Sequence, residues 1–529
     1  MKKNILLIVL FGCFSLALFS QKNEQIAGTT SVAASPKSAS VNGGIPSVIP
    51  LPVKMVFGTG SFKLTSDIQV VADKASTTTA QQFVDVISHS TGFALKVTGK
   101  ASKGLRPVIR FRQDRKLTQL GNEGYQLTVT LQDITISAPQ EAGLFYGMQT
   151  LRQLLPPQIF SATQVRDVAW MVPCVSIEDT PRFAWRGLML DSGHDFQTKV
   201  FVLRFIDLMA QHKFNILHWH LTDLGTWSVE IKGYPQLLDA STRAKGVKPG
   251  HYTQDEIREV VRYASERHIT IVPEIDMPGH LTAALLAYPE LNCPLPQRLD
   301  KNGKPARPWE ICVGSDKTYV FAEAVLSQIV GLFPGKYVHI GGDECPKERW
   351  LRCPLCQEKM KKENLKDGNA LQSYFIRHLE TFLQSKGRKL VGWDEILEGG
   401  LAPNATVMSW RGMDGGIEAA RAGHDVVMAP RQFTYFDYPD TPVSKVYSFD
   451  PVPKELTDEQ ASHILGGQGQ MWTDNHPSEP AIDALVYPRA AALAEVLWSP
   501  QAGRDYDGFM KHLQEHLVRL ELLGVKYRR

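Results

Sequence analysis

From about residue 181 onward, the chain alternates between short apolar runs and longer amphipathic segments with a helical period. The apolar runs are rich in β-branched and aromatic residues, as buried strands are. They lie at Trp185–Asp191, Asn215–Thr222, Thr270–Asp276, Tyr337–Ile340, Lys389–Trp393, Thr406–Trp410, Asp425–Ala429 and Ile464–Trp472. The helical patterns between them lie at Lys199–Gln211, Thr253–Arg267, Tyr319–Leu332, Leu371–Lys386 and Gly415–Ala422. This alternation predicts an α/β fold with a (β/α)8 TIM barrel over residues 181–529.

Residues 45–180 follow a different pattern, with short strands separated by turns and one clear helix. Ile68–Val71, Tyr125–Val129 and Ile134–Ile136 have strand-like composition or alternation. An apolar stripe over residues 143–155 predicts a helix, which two consecutive prolines end. We therefore expect a small α+β domain before the barrel, and we assign no catalytic cluster to it.

The first residues have the pattern of an export signal. Two lysines precede a long apolar stretch, and a small residue follows it. We assign residues 1–20 to a signal peptide and residues 21–44, rich in Ser, Ala, Lys and Gly, to a flexible linker. This predicts an exported protein that is periplasmic or located at the cell surface. Residues 10–13 resemble a lipoprotein cleavage box, so a lipid anchor at Cys13 is an alternative.

Composition changes this picture little. Apolar residues make up 43% of the chain and charged residues 21%, as in globular proteins. The net charge is +3 and no run of basic residues occurs, so nothing predicts binding to nucleic acid. No run after the signal is long and apolar enough to predict a membrane span.

The cysteines leave two interpretations open. Cys345, Cys353 and Cys356 lie close together in sequence, but no fourth ligand stands at a spacing that indicates a zinc site. We therefore predict no metal and no cofactor. Because export permits disulfides, we expect Cys293 and Cys312, which flank one loop, to be bonded, with free thiols as the alternative.

One stretch combines a strand, two glycines and two acids. Tyr337–Ile340 predicts a short strand, Gly341 and Gly342 interrupt it, and Asp343 and Glu344 follow. Parallel α/β folds present functional side chains at the carboxyl ends of strands, where glycine lets the backbone pass close to a ligand. Neighbouring side chains in an extended segment point to opposite sides, so the two carboxylates can serve different groups of one ligand. The alternative is a solvated acidic turn.

Polar or aromatic residues end most of the other predicted barrel strands, which favours a binding site at one mouth of the barrel. They are Asp191, Asp223, Glu274, Asp276, Trp393, Trp410 and Trp472. The segments around them resemble, in order along the chain, glycoside hydrolase family 20, the exo-acting β-N-acetylhexosaminidases. The matching segments are Trp185–Asp191, His218–Asp223, Val272–His280, His339–Glu344, Gly392–Glu395, Val407–Gly412, Tyr435–Asp437 and Gly466–Trp472.

The resemblance implies hydrolysis that is assisted by the substrate and retains the configuration of the sugar. The substrate's own acetamido oxygen would attack the anomeric carbon and form an oxazolinium intermediate. Glu344 would act as general acid and then as general base. Asp343 would accept the acetamido N–H, and Tyr435 would bond the acetamido oxygen. The implied partner is a glycan that ends in a β-linked N-acetylhexosamine.

The resemblance also implies residues that bind the sugar. Trp393, Trp410 and Trp472 match an apolar box for the acetamido methyl group and the sugar face. Asp437 matches a position that contacts the outer hydroxyls, and we assign Asp191 to substrate binding as well. The alternative for any single tryptophan is an ordinary core residue.

Two further residues match a buried pair behind the general acid. Asp223 and His280 would help to set the protonation of Glu344, as an acid that works near neutral pH requires. The alternative for His280 is a structural histidine that caps the Pro-Gly turn.

The sequence departs from the family where the sugar hydroxyls are read. His194 stands where the family usually has an arginine that forks onto the 3- and 4-hydroxyls, and Asp474 replaces the usual glutamate. Residues 224–226 also differ from the acidic and amide residues expected there. This suggests a substituted sugar, such as a 6-sulfated one, unless an arginine from another loop fills the gap.

Two other functions remain as alternatives. A sugar-binding protein without catalysis could keep the barrel, but it would have no need for Asp343, Glu344 and Tyr435 together. An unrelated barrel enzyme would have no need for the three tryptophans. We therefore favour the hydrolase.

Overall fold

The structure is a computed structural model, and it describes residues 47–102, 106–239 and 242–528. The predicted signal peptide (residues 1–20), the predicted linker (21–44) and the alternative lipid anchor at Cys13 lie outside the described residues. Within the described ranges, no helix combines the length and the apolar character that crossing a bilayer requires.

The first domain is a mixed sheet covered by two helices. Its strands are β1 (Lys54–Lys63), β2 (Gln69–Ala72), β3 (Val97–Thr98), β4 (Val108–Gln113), β5 (Tyr125–Val129), β6 (Asp133–Ala138) and β7 (Met171–Asp179), and its helices are α1 (Thr77–Thr91) and α2 (Glu141–Leu154). The seven strands lie in the order β1-β7-β5-β6-β4-β2-β3. Helix α2 packs on the sheet through its predicted stripe, in which Phe145, Met148 and Leu151 are buried.

The second domain is a closed barrel of eight parallel strands. The strands are β8 (Trp185–Asp191), β9 (Ile216–His220), β10 (Thr270–Glu274), β11 (Tyr337–His339), β12 (Lys389–Trp393), β13 (Thr406–Ser409), β14 (Val426–Met428) and β15 (Ile464–Gly469). The helices are α3 (Lys199–Gln211), α4 (Gln254–Ser265), α5 (Thr282–Ala287), α6 (Asp316–Leu332), α7 (Pro354–Lys362), α8 (Gly368–Ser385), α9 (Asp414–Arg421), α10 (Arg431–Thr434), α11 (Val443–Ser448), α12 (Asp458–Ala461), α13 (Glu479–Val486), α14 (Arg489–Trp498) and α15 (Tyr506–Leu522). Pairing of β15 with β8 closes the ring.

Buried ion pairs join the first domain to the barrel. Lys213, which precedes β9, lies 2.9 Å from the carboxylate of Asp179 at the end of β7, and both side chains are fully buried. Arg186, near the start of β8, lies 2.7 Å from the carboxylate of Glu123. Both basic residues lie at or before the amino ends of barrel strands. The first domain therefore packs on the end of the barrel that is opposite to the carboxyl ends of the strands.

The predicted fold is confirmed: a small α+β domain precedes an eight-stranded parallel barrel. All eight predicted barrel strands form, although several end earlier than predicted. For example, the pattern predicts a second barrel strand that includes residues 221 and 222, but β9 ends at His220. The pattern continues past this point because the following loop is buried as well.

The predicted Cys293–Cys312 disulfide is wrong for this structure. The cysteines of the described ranges are free thiols. The sulfur atoms of Cys293, Cys312, Cys353 and Cys356 instead converge on one point. The prediction failed because sequence spacing does not reveal that the loop after β11 folds back onto the loop after β10.

Candidate active site

A cavity of about 260 Å³ opens at the carboxyl ends of the barrel strands. Each of the eight strands ends in, or is followed by, at least one side chain that lines it. The lining residues are His194, Asp223, His280, Asp343, Glu344, Trp393, Trp410, Arg431, Tyr435, Asp437, Tyr438, Trp472 and Asp474. All predicted site residues except Asp191 therefore lie on its wall.

The segment after β11 gives the two central acids their positions. Gly341 has φ of +71°, and a Cβ atom there would lie 1.7 Å from Oδ1 of Asp276, so only glycine fits. Glu344 has φ of +45°, a backbone conformation that is uncommon for residues with a side chain. Such conformations cluster at functional sites, where the surrounding structure imposes them.

The two adjacent acids have opposite environments. The side chain of Glu344 is 55% exposed to the cavity, whereas that of Asp343 is only 12% exposed. Burial raises the pKa of Asp343, and the negative charges of Glu274 and Asp223 add to this effect against the opposing charge of His280. The Oδ1 atom of Asp343 is buried and has no hydrogen-bond partner among the described residues. An unpaired buried acceptor of this kind is costly unless a ligand supplies a donor.

A chain of hydrogen bonds begins at His280, which lies beside the two acids, and runs into the barrel. The Nε2 atom of His280 lies 3.7 Å from a carboxylate oxygen of Asp343 and 3.7 Å from one of Glu344. Its Nδ1 atom bonds Asp223 at 2.8 Å, and the other oxygen of Asp223 bonds Nε2 of His220 at 2.8 Å. Burial opposes a charge on His280, but the carboxylates of Asp223 and Asp343 outweigh it and raise the pKa of His280 well above its ordinary value.

The same chain ends at Glu274, which the sequence places at a strand end and which the structure shows to be buried among four hydrogen-bonding or charged neighbours. Its carboxylate is contacted by His220, by Nε2 of His218 at 3.0 Å and by Nδ1 of His339 at 2.9 Å. It also accepts a hydrogen bond of 3.0 Å from Nε1 of Trp393. Burial would raise the pKa of Glu274, but the surrounding histidines lower it well below its ordinary value. Glu274 therefore links this chain of hydrogen bonds to Trp393.

The aromatic side chains form a wall beside Asp343. The rings of Trp393 and Trp472 lie 6.0 Å apart, and the ring of Tyr435 lies 6.3 Å from Trp472 and 6.2 Å from Trp410. The indole of Trp410 is fixed by a hydrogen bond of 2.9 Å to Glu395. The three predicted tryptophans are thus brought together, and flat aromatic faces are suited to packing on C–H groups of a sugar.

Acidic and basic groups share the outer rim. Burial raises the pKa of Asp437 to about 7, and the nearby charge of Asp474 adds to this effect. Arg489 holds the Asp437 loop by donating to the carbonyl oxygens of Phe436 and Tyr438. Arg431, which the sequence reasoning missed, lies on the same rim with its guanidinium 4.5 Å from the ring centre of Tyr438.

His194 and Asp191 occupy the side of the cavity near β8. Asp191 is fully buried and accepts hydrogen bonds from the backbone N–H groups of Gly193, His194 and Thr473, so it lies beneath the cavity wall. The Nδ1 atom of His194 lies 3.0 Å from Asp191 and 3.3 Å from Asp223. Burial opposes protonation, but these two carboxylates raise the pKa of His194 to about 9. Only its Nε2 atom is left to meet a ligand.

The missed residues differ in how well the sequence could have revealed them. His218, His220 and His339 lie inside motifs that were read as strands, and their pairing with Glu274 depends on contacts between strands. Arg431 follows a strand end, which is a weak signal, and no motif distinguishes it from a surface arginine.

Known proteins of one family are similar to this chain in sequence. The sequence profile of glycosyl hydrolase family 20, catalytic domain, matches residues 183–501, and that of glycosyl hydrolase family 20, domain 2, matches residues 45–180. A β-hexosaminidase of Porphyromonas gingivalis is 40% identical over 505 residues, which are 91% of this chain and 64% of that protein. One of Akkermansia muciniphila is 32% identical over 431 residues, 77% of this chain and 86% of that protein.

Solved structures are also similar. An exo-β-N-acetylglucosaminidase of Vibrio harveyi, in complex with N-acetylglucosamine, matches with a TM-score of 0.82 at 30% identity, over 91% of this chain and 78% of that one. The N-acetyl-β-hexosaminidase of Streptomyces plicatus, in complex with Thio-NAglucal, matches with a TM-score of 0.79 at 32% identity, over 91% of this chain and 96% of that one.

Proposed function

Because the chain belongs to glycosyl hydrolase family 20, we propose that it is an exo-acting β-N-acetylhexosaminidase that retains the configuration of its substrate. The proposal is supported by a cavity whose volume of about 260 Å³ suits one terminal sugar rather than a polymer. The named relatives are hexosaminidases as well. The chain spans 64% of the length of the Porphyromonas gingivalis relative, so its activity is inferred here from its own site.

In the first step, the acetamido oxygen of the substrate attacks the anomeric carbon and displaces the leaving sugar. Asp343 accepts a hydrogen bond from the acetamido N–H. This bond orients the acetamido group, and the carboxylate balances the positive charge that develops on it. Tyr435 donates its hydroxyl to the acetamido oxygen from the facing wall. Glu344 gives its proton to the leaving oxygen as the glycosidic bond breaks, and an oxazolinium ion remains.

In the second step, Glu344 takes a proton from water, and the resulting hydroxide attacks the anomeric carbon. The oxazolinium ring opens and restores the acetamide. Because the anomeric carbon is inverted twice, its configuration is retained. The carboxylate of Glu344 is exposed to the cavity and therefore accessible to both the leaving group and water.

The observation that carries this mechanism is the buried, unpartnered Oδ1 atom of Asp343 beside an aromatic wall. An acceptor that waits for an amide N–H explains both its burial and its unused lone pairs. We further propose that the enzyme acts outside the cytoplasm, from the sequence of its first 20 residues.

The test is turnover of a chromogenic N-acetyl-β-glucosaminide, with the first-formed product followed by NMR. The proposal expects the β-anomer to appear first and no sugar–protein adduct to form with a fluorosugar. Appearance of the α-anomer, or a covalent adduct, would exclude substrate-assisted retention. Binding of N-acetylglucosamine without turnover of any β-N-acetylhexosaminide would favour a sugar-binding protein instead.

A further inference from the structure

We propose that Cys293, Cys312, Cys353 and Cys356 together bind one zinc ion as a structural site outside the active site. The four sulfur atoms all lie within 4.8 Å of one another. All four side chains are at least 96% buried. The sulfur–sulfur distances are 3.7 Å for Cys312–Cys353, 3.8 Å for Cys312–Cys356 and 3.9 Å for Cys293–Cys356.

These distances are those of a tetrahedron around one metal ion. Zinc–thiolate bonds of about 2.3 Å at tetrahedral angles place neighbouring sulfurs about 3.8 Å apart. A four-cysteine set is a common ligand set for structural zinc, and soft thiolates also select against magnesium and calcium. An iron–sulfur cluster needs more room, because its cysteines surround several metal atoms rather than one.

Disulfides explain the arrangement less well. A disulfide requires its two sulfurs at about 2.0 Å, and two disulfides would separate the four sulfurs into two close pairs. Here the sulfur of Cys312 is nearly equidistant from those of Cys353 and Cys356, and Cys356 is nearly equidistant from Cys312 and Cys293. Nearly equal distances of this kind are typical of thiolates that bind one central metal ion.

The local fold delivers the ligands from two loops. Cys353 immediately precedes α7 and Cys356 lies in its first turn, which gives the C-x2-C spacing of zinc sites. Cys293 and Cys312 come from the long loop between α5 and α6. The two loops meet closely, because a Cβ atom on Gly314 would lie 2.3 Å from the backbone nitrogen of Cys356.

The proposed zinc would brace the segments that carry the acid–base machinery. The loop that holds Cys312 also holds Trp309, whose ring lies 5.1 Å from that of His280. The backbone of Ile311 donates a hydrogen bond of 3.0 Å to the carbonyl of Pro278, two residues before His280. Cys353 follows Glu344 by nine residues on the other loop. A metal between the loops therefore fixes His280 and Glu344 relative to each other.

The experiment measures the metal content of the full-length protein after purification without reductant and dialysis against a weak chelator. Elemental mass spectrometry should find about one zinc ion per chain, and the native mass should contain the same ion. Replacement of zinc with Co²⁺ should produce the strong visible absorption of a tetrahedral tetrathiolate centre. Alkylation of the unfolded, unreduced protein should modify all four cysteines.

Variants assign the metal to these residues. Cys312→Ser and Cys356→Ser should each reduce zinc to less than a tenth of the wild-type content after dialysis. Cys174→Ser is the matched control, because Cys174 is also a buried free thiol but lies in β7 of the first domain. It should keep the full zinc content.

Three results would overturn the proposal. The first is wild-type protein that stays free of zinc even after refolding with Zn²⁺ in excess. The second is peptide mapping that finds disulfides among the four cysteines. The third is iron in place of zinc in protein produced with both metals available. The wild-type measurements decide the matter even if the serine variants fail to fold.

Discussion

The Nε2 atom of His280 lies 3.7 Å from a carboxylate oxygen of Glu344. Its Nδ1 atom is bonded to Asp223, whose negative charge helps to keep the imidazole protonated. A cation at this distance attracts the carboxylate of Glu344 and so helps to hold it in place. His280 therefore acts through Glu344 as a positioning residue.

The first prediction follows from this contact. In His280→Gln, loss of the cation should leave the carboxylate of Glu344 less firmly held, so kcat should fall about tenfold. Asp223→Asn should lower the pKa of His280, because the Asp223 carboxylate helps to raise it, so the alkaline limb of the pH profile of kcat should move down. A lower kcat with an unmoved alkaline limb would show that His280 has only a structural role.

The second prediction concerns the proposed general acid. Glu344→Gln cannot donate a proton, so kcat should fall by about 10²–10⁴-fold on substrates with poor leaving groups. A good leaving group departs in the first step without being protonated. The rate of that step should therefore fall much less for substrates that carry one. Pre-steady-state rates on a matched pair of aryl and alkyl glycosides measure the difference. Equal losses on both would remove Glu344 from the acid role.

The third prediction concerns Asp343 and Tyr435. Their contacts to the acetamido group strengthen as charge develops, so Asp343→Asn and Tyr435→Phe should lower kcat far more than they weaken binding of the product sugar. Titration calorimetry with N-acetylglucosamine supplies the binding term. Parallel losses in binding and kcat would mean that the two residues contribute uniform binding and not transition-state stabilisation.

The sequence revealed the strands better than the contacts between them. Asp343 and Trp393 were placed at strand ends because the period of a strand and its glycine break are local signals. The contacts of Glu274 are not predicted, because its partners come from neighbouring strands, which no local pattern relates. Asp191 is predicted to bind the sugar, and in the structure its oxygens accept hydrogen bonds from three backbone N–H groups. The direction in which a side chain points, and whether its oxygens already accept hydrogen bonds, depend on how the loop packs. Local sequence patterns do not encode this packing.

The fourth prediction links His194 to stability. Its pKa in the folded protein, about 9, is raised above its ordinary value of 6.5, despite burial, by Asp223 and Asp191. Protonation of His194 thus adds at most about 3 kcal/mol to the free energy of unfolding. This contribution is fully present below pH 6.5 and is lost as the pH rises through 9. The Tm difference between wild type and His194→Gln should therefore shrink from pH 6 to pH 9.5. A difference that does not change with pH would show that packing, and not charge, explains it.

The last prediction concerns the sugar that the outer rim accepts. His194 has one ring nitrogen free for a ligand, whereas the family's arginine would offer a fork of donors. Arg431 lies on the same cavity wall, beside Asp437 and Tyr438, and can supply a guanidinium from another loop. We expect it to replace the missing donors, so that plain N-acetyl-β-glucosaminide is the preferred substrate.

Arg431→Gln should then lower kcat/KM on the plain glucosaminide by about 10- to 100-fold, the loss expected for charge-assisted hydrogen bonds. Arg421→Gln, at an exposed arginine in the last turn of α9, is the matched control and should change nothing. The 6-sulfated sugar and the galactosamine epimer should be poorer substrates for the wild type. The opposite result is a wild type that prefers the 6-sulfated sugar and an Arg431→Gln variant that loses this preference. It would show that the rim binds a substituted sugar, because a guanidinium can pair with a sulfate as well as with hydroxyl groups.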